Sequence, residues 1–380
     1  MGAGYEFNET SRGGGVGHGG GRPMRVRLLT IKNFRGVRHG EVQFEQHTLL
    51  VGGNNVGKST VCEALDLVLG PERLYRRPVV DEHDFYRGQY LNDDGSGVEI
   101  QVEAVLVGLS DEQRRRFGMS YLRRWDEAVG EFVDEQPGGL ARADEPTVTW
   151  ALPVMFIGRY EPEEDDFVGD TFFSHPLPDP ETLDEAERAA LGAGRSRFTR
   201  EHKRLCGFVF LRTLRTGSRA LSLQRGSLLD TILRLAPEGS AQMWQDTLEA
   251  LRMLDPAIGE IDKLKDMRAK IRDNMGRFVN LKGGDDATAF FASDLTREHL
   301  REVVRLFVAT KPSEYPVPFA RQGTGSINML VFALLSIIAE LKGQQNVIFA
   351  MEEPEIALPP HTQRRVTKFV LHEMGQSIVT

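Results

Sequence analysis

Gly52, Gly57, Lys58 and Ser59 fit the pattern G-x-x-x-x-G-K-[ST], and the chemistry of the chain is read first from them. Glycines allow consecutive backbone N–H groups to point at phosphate oxygens with no Cβ in the way. A helix start adds its unpaired donors and the positive end of its dipole. Lys58 is placed to reach the β- and γ-phosphates of a nucleotide, and the Ser59 hydroxyl to hold Mg²⁺. The expected cradle is Gly52, Gly53, Asn54, Asn55, Val56, Gly57, Lys58, Ser59 and Thr60.

A second stretch, NVIFAMEEPE at 346–355, is an apolar run that delivers Glu352 and Glu353 at its end. A strand ending in two acids is the Walker B arrangement. Glu352 would hold the Mg²⁺ shell, and Glu353 would act as general base on the attacking water. A third stretch, RQGTGSINMLVFALL at 321–335, runs from small residues straight into an apolar helix. Gly323, Gly325 and Ser326 offer N–H groups and a hydroxyl to an anion, or simply cap the helix. The stretch lies where an ABC-type signature lies relative to its Walker B acids, although it is not LSGGQ. As a signature it would meet ATP bound to a second subunit, in a homodimer with two ATP molecules between the heads.

These residues need a scaffold. Arg25–Phe34 and Glu41–Phe44 read as strands of a hairpin turning through Gly36–Gly40. Thr48–Val51 is a short strand before the phosphate loop, and the following helix stops at Gly70–Pro71. Val98–Leu106 alternates apolar and polar residues, as a half-buried antiparallel strand does. Thr147–Tyr160 is a further strand, the acidic Glu161–Asp184 a long surface loop, and Phe208–Leu211 a short buried strand. From Ser227 to about Phe307 the apolar residues recur at helical steps: Leu228, Leu229, Ile232, Leu233 and Leu235 on one face, Trp244, Leu248, Leu251 and Leu254 on another. Leu300, Val303, Val304 and Phe307 form a third. Ser326–Leu341 reads as a helix, Asn346–Met351 as a buried strand, Pro360–Met374 as a helix, and Gln376–Thr380 begins a strand.

The 380 residues, with 40% hydrophobic and 27% charged content, belong to a soluble globular protein large enough for one or two domains. Residues 1–23, with nine glycines, read as a disordered tail. No signal peptide is visible, and the run Met329–Ala339 is too short for a bilayer, which makes the cytoplasm the default and a membrane no partner. Cys62 and Cys206 allow neither a disulfide framework nor a zinc site. Net charge is −8, strongly segregated. Asp126–Glu187 holds eighteen acids against two bases, and Arg195–Arg225 nine bases against one acid. The basic block is either a solvated face or a phosphate-contacting patch for nucleic acid. Asp81, Glu82 and Asp84 form either a metal site or a solvated loop.

Together LLTIKNFRGV, GGNNVGKST, DEHDFYRG, FVFLRTLRTGSRAL with GSLLDTILRL, QGTGSINMLVFALL and FAMEEPEIALPP make the chain resemble a known family. It is similar to the N-terminal ATPase region of OLD (overcoming lysogenization defect) family ATP-dependent nucleases. The resemblance spans residues 28 to 360. It implies an α/β fold, an ABC/SMC-like P-loop NTPase head with a mixed sheet, an antiparallel β lobe and a helical insert. The head would occupy 24–225 and 310–380, with the insert at 226–309 helping dimerisation. The implied activity is Mg²⁺-dependent ATP hydrolysis linked to DNA processing, often in phage defence. By the same resemblance Arg35 of NFRG approaches the nucleotide; otherwise it is a surface arginine in a turn.

Two departures stand out. The family's nuclease activity resides in a TOPRIM domain after the ATPase, and this sequence ends at Thr380, so cleavage is expected to need that domain or a partner. Where family members often have EEPEAHLHP this chain has EEPEIALPP, with Ala357 and Pro359 altering the local contacts. An alternative is a RecF- or SMC-like ATP-gated DNA-binding or loading protein without nuclease. A non-catalytic module in which ATP only stabilises a dimer is a third reading. The long insert opposes a transporter subunit, and the lack of N-K-x-D opposes a GTPase.

Overall fold

A computed structural model describes residues 23–71, 73, 78–135, 145–178, 192–212, 223, 227–235, 240–252, 262–275, 301, 306–308, 315–318, 321–343, 347–354 and 358–380. The expected tail at 1–22, the stripe residues Leu254, Leu300, Val303 and Val304, and Ala357 lie outside them.

In chain order, β1 (Arg25–Phe34), β2 (Val37–Gln43) and β3 (His47–Leu49) precede α1 (Lys58–Leu69). β4 (Ile100–Val107), α2 (Asp111–Phe117), β5 (Arg123–Asp126) and β6 (Glu131–Phe132) follow. Next come β7 (Val148–Glu161), β8 (Asp166–Phe173), α3 (Arg200–Leu205) and β9 (Phe208–Leu211). The helices α4 (Leu228–Leu235), α5 (Ser240–Arg252) and α6 (Asp262–Met275) lead to a small ribbon, β10 (Phe307–Val308) and β11 (Val317–Pro318). The chain finishes through α7 (Thr324–Lys342), β12 (Ile348–Met351), α8 (Pro360–Glu373) and β13 (Gln376–Val379).

Parallel and antiparallel strands sort into separate sheets. β3, β13, β12 and β9, in that order, form an all-parallel four-stranded sheet. The larger antiparallel sheet runs β2-β1-β4-β7-β5-β6, with β8 also on β7. α1 lies between the two. Cys62, Ala64, Leu65, Leu67, Val68 and Leu69 are buried in one core with Leu29, Ile31, Val102 and Ala104 of the antiparallel sheet and with Phe208, Ile348, Ala350 and Ile378 of the parallel one. Burial on two fronts explains why this helix is apolar over most of its circumference.

The opposite face of the parallel sheet has its own core. Leu211, Phe349 and Met351 pack there with Val331, Phe332, Leu334, Leu335 and Ile338 of α7, Val370 of α8 and Leu228 of α4. The apolar stripe at the start of the helical stretch is therefore core. The segment Gly325–Lys342 of α7, mean hydropathy 1.6, is long and apolar enough to cross a membrane by length and composition. It is longer than the run Met329–Ala339 considered from sequence, because the small residues before it and Glu340–Lys342 after it are helical too.

Several strands differ from expectation. The first hairpin turns at Arg35–Gly36, with Phe34 opposite Val37, and Gly40 sits within β2 opposite Ile31. Positive φ at Asn33 and Arg35, 54° and 50°, makes the turn tight. The acidic stretch after β7 is not all loop: β8 pairs with β7 from Glu161–Asp166 to Val154–Phe173. Its acids flank a strand whose Phe172 and Phe173 are buried, a pattern masked by composition. β4 is covered on both faces towards its end, with Val105 and Val107 packed on Trp125, Phe132 and Ala151. Phe307 belongs to β10 and is exposed, not to a helical stripe.

A single side chain ties the two sheets together. Gln376, fully buried at the start of β13, accepts from Val26 N–H at 2.8 Å and donates to Val26 O at 2.8 Å and Glu45 O at 3.0 Å. Val26 lies at the irregularity where β1 slips its register against β4, so the amide supplies bonds that the ladder lacks there. Gln376→Leu keeps the volume and leaves these backbone groups unsatisfied. It should lower unfolding free energy by about 3 kcal/mol in denaturant titration.

Lys203 of α3 is fully buried and donates to Leu67 O at 2.7 Å, near the end of α1. Burial pulls its ammonium down to about 7, against the partial support of the Asp66 charge. The folded state therefore binds fewer protons than the unfolded chain above about 7, and this group makes stability rise with pH. Cys62 and Cys206, both pushed up to about 12 by burial, act in the opposite sense once unfolded thiols ionise. Between pH 7.5 and 8.5 the lysine effect should dominate, at roughly 1 kcal/mol per pH unit. Thermal unfolding of Lys203→Met should lose most of that slope relative to the parent protein.

Candidate functional site

The parallel sheet ends on one level. Leu49 pairs with Val379, Val379 with Met351, and Met351 with Leu211, so the last residues of all four strands stand in a row. The row continues one residue further in hydrogen bonds. Leu50 N donates to Val379 O at 2.7 Å, Thr380 N to Met351 O at 3.0 Å, and Glu352 N to Leu211 O at 3.0 Å. Four chain segments leave this edge: the phosphate loop from β3, Thr380 from β13, Glu352 and Glu353 from β12, and Arg212 from β9. Ligand sites in parallel sheets lie outside such carboxyl ends.

The phosphate loop is open to solvent from Val51 to Val56. Lys58 Nζ donates to Gly52 O at 2.9 Å and Gly53 O at 2.8 Å, so the loop is curled round its own ammonium. Asn55 and Gly57 both have positive φ, 63° and 98°. α1 begins at Lys58 with no side-chain cap and no acid in its first turn. Its first N–H groups therefore have neither an intrahelical nor a side-chain acceptor at the place where an anion would sit. A Cβ on Gly57 would meet nothing within 4 Å, so the hollow in front of the helix is unobstructed. The residues present fit a nucleotide phosphate.

β12 and β3 are separated by one strand, which puts Glu352 about 10 Å across the sheet from the loop's strand. Glu352 is 8% exposed, and its charge reaches α1 itself. The Cys62 thiol is pushed up to about 12, first by burial and then by the carboxylates of Glu352 and Glu63. Glu353 is exposed, with φ of 46° and its N–H on Thr380 O at 3.1 Å. A left-handed backbone is unusual for glutamate and turns the chain sharply after the strand.

Arg35 sits further down α1. Its Nη2 is 2.5 Å from Glu63 Oε2 and its Nε 2.9 Å from Asp84 Oδ1. Burial opposes its charge, but the Asp84 hydrogen bond and the Glu63 and Asp84 carboxylates outweigh burial and raise its pKa. Asp84 is 4% exposed and also faces Arg73, while its Oδ2 caps the short turn begun by Asp81. Asp81 and Glu82 are exposed, as the solvated-loop reading has them, whereas Asp84 departs from it. Asp84 is neither a solvated loop residue nor a member of a metal cluster among the described residues. Its role is an ion pair whose cation comes from 49 positions earlier.

The segment Gly323–Ser326 forms the start of α7, with Gly323 as N-cap and Ser326 N bonded to Gly323 O at 2.9 Å. It does not join the phosphate loop in a shared core: α7 packs on one face of the parallel sheet and α1 on the other.

Sequence reasoning missed Glu63, Asp66 and Arg212. Arg212 Nη2 lies 3.8 Å from Glu63 Oε2 and 3.7 Å from Asp66 Oδ2. The available signal was the i, i+3 spacing of the two acids on an otherwise apolar helix. Some cations of the described part of the basic block turn inward. Lys203 is buried, Arg212 faces α1, Arg197 pairs with Asp170 at 3.3 Å, and Arg195 donates to Ser174 O. Arg197 and Arg204 are nevertheless exposed, so this part of the block combines inward contacts with the solvated face read from sequence. Arg215, Arg219 and Arg225 lie outside the described residues.

The sequence matches the family model described as AAA ATPase domain over residues 24–107 and 219–379. It is 44% identical over 48 residues to the uncharacterized protein Rv1278 of Mycobacterium tuberculosis (strain ATCC 25618 / H37Rv), 12% of this chain and 6% of that one. The chain thus spans only a small part of the curated relatives it matches. Among solved structures, it is similar to the Smc head domain with an extended coiled coil bound to the C-terminal domain of ScpA, from Pyrococcus furiosus. That comparison has a TM-score of 0.43 and 11% identity, covering 94% of this chain and 89% of the other. The SmcHead bound to the C-winged helix domain of ScpA gives 0.44 and 10%, covering 93% and 89%.

Gly57→Ala isolates the loop's backbone requirement, because no clash accompanies the new methyl. The left-handed conformation alone should cost about 1–2 kcal/mol. ATP affinity should fall roughly tenfold or more in a binding titration, with little change in melting temperature.

Proposed function

The chain belongs to the AAA ATPase domain family, and from that premise we propose that it is the Mg²⁺-dependent ATP-hydrolysing head of an OLD-like DNA-processing protein. The observation that carries the reading is the level edge of the parallel sheet, which presents a phosphate loop and a pair of acids two strands apart.

The loop amides of Gly52–Thr60 and Lys58 bind the triphosphate. To do so Lys58 exchanges the Gly52 and Gly53 carbonyls for phosphate oxygens, a trade of neutral acceptors for charged ones. Ser59 and Glu352 hold Mg²⁺, which when bound neutralises charge on the β- and γ-phosphates. Glu353 takes the proton from the attacking water. Its left-handed backbone and exposed side chain turn it away from the buried strand that positions Glu352. Arg35 would have to leave Glu63 or Asp84 to reach the nucleotide, so in the resting state it braces α1.

The Gly323–Ser326 segment acts on ATP held by a second copy. Its position across the sheet from its own loop supports action in trans, and the helices at 226–309 assist pairing of the heads. Coupling to DNA cleavage by a TOPRIM domain or a partner protein, in phage defence, rests on the resemblance to OLD proteins.

Glu353→Gln should slow ATP hydrolysis on the order of a hundredfold while leaving ATP bound. Lys58→Ala should abolish binding itself. Parallel measurements of phosphate release and nucleotide affinity separate the two, and full activity of Glu353→Gln would remove that residue from the mechanism.

A further inference from the structure

We infer that Arg212 is a positioning residue for ATP hydrolysis: from the end of β9 it engages Glu63 and Asp66 and so sets α1, with its phosphate loop, against the strand end that carries Glu352. The inference rests on the ATPase reading above.

Arg212 follows Leu211, whose carbonyl accepts the Glu352 N–H at 3.0 Å, so the arginine and the acid leave adjacent strands side by side. Its guanidinium reaches over to the second and third turns of α1, where Glu63 and Asp66 lie 3.8 and 3.7 Å away. Its Nε and Nη2 are closed to solvent and make no hydrogen bond among the described residues. Among the described residues the side chain is therefore placed by charge and by its position over the Phe210 ring, 5.5 Å from the centroid.

Arg35 provides the contrast. It grips Glu63 at 2.5 Å and Asp84 at 2.9 Å and ties α1 to the antiparallel sheet. Arg212 makes looser contacts with the same carboxylate from the parallel sheet. The order Arg35, Glu63, Arg212, Asp66 alternates in sign across the seam between the sheets. Glu63 on α1 and Glu352 at the end of β12 both act on the Cys62 thiol, and Arg212, which leaves β9 beside Glu352, is a cation that reaches Glu63. Loose, part-exposed ion pairs stabilise a fold little. A bias of about 1 kcal/mol leaves the fold intact but shifts how α1 sits relative to Glu352, and hydrolysis is sensitive to displacements of that kind.

The test compares Arg212→Gln with the parent protein in steady-state ATPase, nucleotide binding, Mg²⁺ titration and thermal melting. The expected result is a kcat lowered about tenfold or more, with ATP affinity within roughly threefold and melting temperature within about 2 °C. The Mg²⁺ concentration for half-maximal rate should rise. An unchanged kcat overturns the inference, as does a loss of kcat matched by an equal loss of ATP affinity and melting temperature, which would make Arg212 a structural brace only. If Arg212→Gln fails to fold, Arg212→Met, which also removes the charge and keeps an unbranched stem, is read by the same criteria. A parent protein that hydrolyses no ATP beyond Lys58→Ala sinks the ATPase reading and this inference with it; an active parent with an indifferent Arg212 sinks the inference alone.

Discussion

Everything at the candidate site depends on the parallel register that ends β3, β13, β12 and β9 on one level. Parallel pairing leaves consecutive strand ends pointing the same way, so residues as distant in sequence as Leu49 and Val379 emerge as neighbours. The row Leu49, Val379, Met351 and Leu211 sets the height of the phosphate loop and of Glu352 together. A slip of one residue in β12 would do more than move Glu352 along the edge. It would exchange the two faces of the strand, sending Ile348 and Ala350 to the α7 side and Phe349 and Met351 to the α1 side. Because both faces are buried in differently shaped cores, the register is strongly specified, and so is the position of the acid.

α1 is the element on which both sheets converge, and its position creates an electrostatic problem. Most of its surface is apolar and buried, yet Glu63 and Asp66 face the seam between the sheets. Both are part-buried, so each gains from a nearby cation. Arg35 from the antiparallel sheet and Arg212 from the parallel sheet supply the cations, and Lys203 donates to a carbonyl near the helix end. The charges that hold α1 in place are drawn from three distant parts of the chain. Gln376 does the same work without charge, replacing missing ladder bonds where β1 slips.

The local chemistry was legible in the sequence. Glycine spacing marked the phosphate loop, alternation marked β1 and β4, and small residues before an apolar run marked the start of α7. What escaped was pairing at a distance. Asp84 looked solvated because its partner Arg35 is remote in sequence, and Arg212 looked like a surface residue because the acids it meets sit on α1. β8 was read as loop because Asp165, Asp166 and Asp170 outweighed Phe167, Phe172 and Phe173 in composition, whereas the hairpin with β7 depends on the aromatic residues. Charge counted over a window says nothing of whether each charge has a partner, and Asp84 and Arg212 both do.

The two cores also divide the labour of the head. Residues of β12 alternate between them, so one four-residue strand is the common wall of a core containing α1 and a core containing α7 and α4. Phe208 and Phe210 against Val209 and Leu211 repeat the alternation in β9. A change in the position of α1 is therefore felt by α4 and α7 through side chains that share a backbone, with no need for a longer path. Arg212 stands where β9 ends and the chain sets out towards α4, at the boundary of both cores.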